Sequence, residues 1–96
     1  MRLDKFLVVS RLVKQRTRAK ALCETGDVKV GESAAKAARE VAPGDMVRIT
    51  FPQRRLTVEV LEVPRAKSVS KDKARELYKI LSEERLRGPF DEFDPE

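Results

Sequence analysis

MRLDKFLVVSRLVKQRTRAKALCETGDVKV, residues 1–30, carries two helical repeats and a strand in succession. Leu3, Phe6 and Leu7 fall at i, i+3 and i+4, one face of a helix that leaves Asp4 and Lys5 outward. The spacing predicts a first helix from about Leu3 to Ser10. Val9, Leu12 and Val13 can extend its apolar face until the basic run from Lys14 turns the chain. Thr17 is the candidate N-cap of a second helix, roughly Arg18 to Thr25, in which Ala19, Leu22 and Cys23 repeat the spacing and Gly26 supplies the C′ residue. Asp27-Val28-Lys29-Val30 then alternates polar and apolar as a half-buried strand does, and Gly31 offers the positive φ of a tight turn.

The same stretch holds most of the chain's charge imbalance. Residues 1–20 contain seven of the 21 Lys and Arg, namely Arg2, Lys5, Arg11, Lys14, Arg16, Arg18 and Lys20, against the single acid Asp4. The formal charge of +5 is therefore local, and a concentrated basic surface implies a polyanion. Charged residues make up 39% of the 96, well above the usual quarter or so, so the surface is unusually ionic. One domain is expected at this length. Cys23 is alone, which excludes an internal disulfide and favours a reducing, cytoplasmic setting. The apolar run Phe6 to Val9 is too short for a signal peptide, and no stretch approaches a membrane span.

Outward from the opening, the order is less regular. Residues 33–40, SAAKAARE, have helix propensity but no large apolar residue, and read as an irregular or short extended crossing segment. Val41 to Asp45 gives a turn. Met46 to Phe51 and Leu56 to Val63 read as strands joined around Pro52 to Arg55, with Leu56, Val58 and Val60 on one face. Arg65 to Ser70 reads as a polar linker into a C-terminal helix capped by Ser70, on which Ala74, Leu77, Tyr78 and Leu81 form an apolar stripe able to cover the sheet. From Arg87 the chain is acidic, with Asp91, Glu92, Asp94 and Glu96, and reads as a mobile tail that Phe90 and Phe93 could anchor. The domain reading is thus 1–64, a linker and helix at 65–86, and a tail at 87–96.

Arg16 and Arg18 flank the start of the second helix, where the macrodipole disfavours each cation by about 0.3–1 kcal/mol. A bound phosphate reverses that balance, because free backbone N–H groups and guanidinium groups converge on it. Lys14 with Arg18, and Arg16 with Lys20, are spaced i, i+4, so two basic rows are expected if Lys14 lies near helical register. A solvated charged face is the bland alternative, but such faces intersperse acids, and none lies between residues 5 and 23. With one Tyr, four Phe and no Gly-x-x-Gly clamp, elements for reading single strands are absent, which favours structured RNA gripped through phosphates. No His, one Cys on an apolar helix face and four scattered glycines leave no zinc site, nucleophile or phosphate loop, so an enzyme is not expected.

Arg2-Leu3-Asp4-Lys5-Phe6-Leu7, Arg16-Thr17-Arg18-Ala19, Gly26-Asp27-Val28-Lys29-Val30 and Pro43-Gly44-Asp45 resemble the S4 RNA-binding domain in order and spacing, over about residues 1–50. Within that family the opening is most similar to the small S4 proteins of bacterial ribosome-associated quality control, and it is also similar to the heat-shock-protein-fifteen group. The resemblance implies an α+β fold: an S4-type αL motif of two short helices with a small, mainly antiparallel sheet, followed by a C-terminal helix. It implies a factor on obstructed large ribosomal subunits, binding 23S rRNA and peptidyl-tRNA while an RqcH-like tailing factor adds alanine; the free protein is expected to be a monomer without cofactor. It places RNA contacts at Arg2, Lys5, Arg11 and Arg16, with Lys14, Arg18 and Lys20 supporting them. Lys29 and Lys36 could extend the surface, and Asp4 could contact RNA, order Arg2 through an ion pair, or serve as an early-turn acid that the helix dipole favours. Rescue of stalled subunits in the heat-shock-protein-fifteen manner, or a protein adaptor using the C-terminal stripe, are the alternatives. Gly31-Glu32 stands where the family commonly has Asn-Gly, so no RNA contact is assigned to that turn.

Overall fold

The computed structural model describes residues 1–65 and 68–85; the expected acidic tail lies outside the described residues. Helix α1, Leu3–Val9, ends at its expected place, with Ser10 as C-cap. Its first N–H groups are satisfied from the crossing segment: Leu3 donates to the Arg39 carbonyl at 2.7 Å and Asp4 to that of Ala37 at 3.2 Å. Val41 in turn donates to the Met1 carbonyl at 3.0 Å. Residues 33–40 thus serve N–H groups that α1 cannot satisfy within itself, and with no large apolar residue they have no amphipathic face to hold a helix of their own in place. Ala35 and Ala37 are buried there, small enough to let two backbones approach.

Helix α2 spans Arg16–Glu24, two residues earlier than expected at its start. Gln15, extended at φ −130° and ψ 143°, is the N-cap in place of Thr17, and it makes no side-chain capping bond. Gly26, at φ 82°, is the residue that ends the helix in the left-handed region.

Five strands follow in one sheet of order β2-β1-β3-β4-β5, every pairing antiparallel. They are β1 Val28–Val30, β2 Ser33–Ala34, β3 Met46–Thr50, β4 Arg54–Val60 and β5 Tyr78–Arg85. Asp45 donates its N–H to the Ala42 carbonyl at 3.1 Å across Pro43-Gly44, and Gly44 has φ 95°. Pro at the second and Gly at the third position of that turn are what a type II geometry requires. Val28, Val30, Val47, Ile49, Leu56, Val58 and Val60 point to one face and join Leu3, Phe6, Leu7, Ala19 and Leu22 in a single core. The other face is open to solvent.

The β4 strand starts two residues before its expected place because Arg55 still pairs with Thr50, and it ends three residues early. Beyond Val60, the Leu61 and Glu62 N–H groups turn to the Leu77 carbonyl, at 2.8 and 3.3 Å.

The C-terminal helix is present and Ser70 caps it, its hydroxyl accepting the Lys73 N–H at 3.1 Å, but α3 is only Lys71–Arg75. Of the expected stripe only Ala74 is helical: it and Leu77 are buried, whereas Tyr78 and Leu81 belong to β5. Without β5, seven residues of β4 would present an unpaired edge; pairing them outweighs the helical periodicity of a short segment. Thr57 pairs with Ser82 and Val58 with Ile80, so Leu81 is the extra residue of a bulge, 43% exposed. The groove-binding helical face imagined for a protein adaptor does not form.

Candidate nucleic-acid interface

Asp4 organises the start of both helices. Its side chain, expected to face outward, is 1% exposed because it is enclosed by its donors: it accepts Arg2 Nε at 3.2 Å, Arg2 Nη2 at 3.4 Å, Arg16 Nε at 3.4 Å and the Lys5 N–H at 2.8 Å. The expected pairing with Arg2 is there; the bond to Arg16, twelve residues away, is added by the fold. The arginine side chains stay 45% and 56% exposed, so each is held at one edge and open at the other. One carboxylate thereby sets two guanidinium groups side by side, which their mutual repulsion would otherwise oppose.

These two border an open depression of about 590 Å³ lined also by Met1, Lys5, Glu40, Val63, Pro64 and Arg65. Arg65, the first residue of the expected linker, joins them; nothing local marks it, because the path of the chain after β4 brings it there. Glu40 is engaged by the N-terminal ammonium at 2.6 Å. Arg16, Thr17 and Arg18 are the first three residues of α2, and the first bond within the helix is Ala19 N–H to the Gln15 carbonyl, at 3.0 Å. Neither a capping side chain nor an acid in the first turn serves the N–H groups before it. Free N–H groups beside arginines suit an anion.

The other candidates are distributed. Lys14 precedes the N-cap, outside helical register, so the expected Lys14–Arg18 row is not formed; Arg16 and Lys20 do share α2. Lys14 instead meets Arg11 at a second depression, with Val8, Val9, Val13, Ser68 and Val69. Arg18 borders a groove with Leu22 and Phe51, while Lys20 is exposed on α2. Lys29 stands on the open face of the sheet and Lys36 is exposed on the crossing segment. Cys23 is buried, and burial first, then the charges of Asp4 and Glu24, push its thiol up to about 11. It stays protonated at neutral pH and acts as a packing residue.

Arg11 has φ 64°, the only positive value among the described non-glycine residues. It follows the C-cap of α1, a position that favours Gly, and the left-handed conformation costs a side chain about 1–2 kcal/mol. Its own bond, Nη2 to the Val69 carbonyl at 3.4 Å, is exposed and long. Arg11→Gly is therefore expected to raise the thermal midpoint by a few degrees while weakening RNA binding and lowering the salt slope by about 1. Melting and RNA titration of the same preparation check both halves.

The S4 domain family matches residues 1–47. The RQC P-site tRNA stabilizing factor of Bacillus subtilis (strain 168) is 44% identical over 86 residues, covering 90% of this chain and 98% of that protein. The protein of the same name from Halalkalibacterium halodurans is 48% identical over 84 residues, covering 88% and 93%. The solution structure of hypothetical protein HP1423 superposes with a TM-score of 0.75 at 32% identity, over 85% of this chain and 98% of that one. Vibrio cholerae heat shock protein 15, solved as a trimer, gives 0.78 at 24% identity over 85% and 82%, a likeness of fold.

Proposed function

The chain belongs to the S4-domain family of RQC P-site tRNA stabilizing factors, and from that premise we propose that it is a non-enzymatic RNA-binding factor of ribosome-associated quality control. It acts in the cytoplasm on large ribosomal subunits obstructed by peptidyl-tRNA. It binds 23S rRNA and the tRNA, and holds the tRNA while an RqcH-like tailing factor extends the nascent chain with alanine. Arg2, Lys5 and Arg16 make the principal phosphate contacts, joined by Arg65; Arg11, Lys14, Arg18 and Lys20 extend the surface. The observation that carries this reading is the buried Asp4 carboxylate holding Arg2 and Arg16 beside an α2 start with no acid in its first turn. Cations at a helix start, which the dipole disfavours in the free protein, become favourable once a phosphate is bound.

Affinity for large subunits carrying peptidyl-tRNA is expected to fall steeply with salt. Neutralising about five to seven phosphates gives a slope of log K against log salt of roughly −3.5 to −6. Co-sedimentation across a salt series measures it, and an affinity indifferent to salt would sink the reading. A preference for empty subunits over those holding peptidyl-tRNA would instead favour another rescue role on the same particle.

A further inference from the structure

The open face of the sheet has a charge arrangement that the RNA-binding helices do not explain. Lys29 lies between buried Val28 and Val30, and Arg48 between buried Val47 and Ile49, so both side chains point away from the helices. The register sets them directly opposite each other, with Cα atoms roughly 5 Å apart. Like charges facing across a strand pair destabilise it. Their row continues through Ala34 on one side, and through Thr57 and Ser82 on the other, with no acid in it. Two arginines elsewhere on the sheet are matched: Arg55 meets Glu84 at 3.4 Å and Arg54 meets Glu83 at 3.0 Å. Glu59 stands between Met46 and Lys79, and Glu32, in the adjoining turn, makes no ion pair among the described residues. Neither Lys29 nor Arg48 has an ion-pair partner among the described residues.

We propose that Lys29 and Arg48 form a second phosphate-binding surface, which takes the backbone of a second RNA segment while the Arg2 and Arg16 side of the molecule holds the first. This rests on the RNA-binding reading above and deepens it by assigning the open face of the sheet to the second of the two RNA contacts. A phosphate seated between the two cations turns their repulsion into shared attraction, and Thr57 and Ser82 add hydroxyl donors along the row. The face carries no aromatic platform in this row, so the contact is with backbone and is tolerant of sequence.

The test is titration of the full-length protein with a short RNA duplex of mixed sequence, following stoichiometry by native mass spectrometry and affinity across a salt series. The wild type is expected to take up two duplexes. The doubly substituted Lys29→Thr, Arg48→Thr protein is expected to take up one and to melt no lower than wild type. The overall salt slope should fall by about 2, for two lost phosphate contacts. Arg16→Ala is expected to weaken the other site and leave this one. A wild-type stoichiometry of one, or a double variant that titrates like wild type, overturns the second surface and leaves the first intact. A polyglutamate peptide that binds this face in preference to duplex overturns it in favour of an acidic protein partner. Wild-type protein that binds no RNA at all overturns the RNA-binding reading itself.

Discussion

Asp4→Ala is expected to lower the stability of the domain by about 2–3 kcal/mol and its affinity for RNA by more than tenfold, with a thermal midpoint at least about 10 °C below wild type. The carboxylate is buried and accepts the Lys5 N–H at 2.8 Å together with three bonds from two arginines. Truncation strips those bonds and leaves a small void at the joint between α1 and α2. The cost falls short of the larger values known for broken buried ion pairs, because Arg2 and Arg16 are about half exposed and can turn to water. That same freedom removes the preorganisation on which phosphate binding depends. Asp4→Asn keeps the volume and one acceptor while removing the charge, and should fall between wild type and Asp4→Ala in both melting and RNA titration. Asp4→Ala with wild-type melting and wild-type affinity would show that the arginines need no such anchor.

The cations are legible in the sequence, but their grouping is not. The i, i+3, i+4 spacing of Leu3, Phe6 and Leu7 and of Ala19, Leu22 and Cys23 is a local signal, and both helices formed where it lies. Pro43-Gly44 likewise marks its turn without help from elsewhere. The start of α2 depended on an extended Gln15, which carries no capping chemistry, so Thr17 attracted the assignment. Tyr78 to Arg85 failed for a different reason. Its apolar residues continue a helical stripe from Ala74, but the exposed edge of β4, from Arg54 to Val60, offers a pairing that no local pattern reveals. Arg65 entered the basic depression the same way, through the route of the chain and not through its neighbours. Charge was legible by counting; the bond from Arg16 to Asp4, which turns charge into geometry, required the packing of α1 against α2.

Arg16→Ala is expected to separate binding from stability, weakening RNA affinity by about 10- to 100-fold while leaving the thermal midpoint within a few degrees of wild type. Arg16 anchors through Nε alone, at 3.4 Å from Asp4, and its terminal amino groups make no hydrogen bond among the described residues. Those groups are the ones free to grip phosphate, and a charge-assisted hydrogen bond contributes about 1.5–3 kcal/mol. The structural loss is small because Asp4 keeps both bonds from Arg2 and the one from Lys5. Removing a cation from the start of α2 also recovers about 0.3–1 kcal/mol of helix-dipole energy, close to what a half-exposed ion pair loses. The salt slope should fall by about 1, and the weakening should be uniform across RNA sequences, as for a backbone contact. Arg16→Lys retains the charge without the planar fork that reaches Asp4 and phosphate together, so it should recover the slope but only part of the affinity. Affinity and slope that both survive Arg16→Ala would move the RNA contact away from the joint of the two helices and leave the Asp4 cluster as an element of the fold.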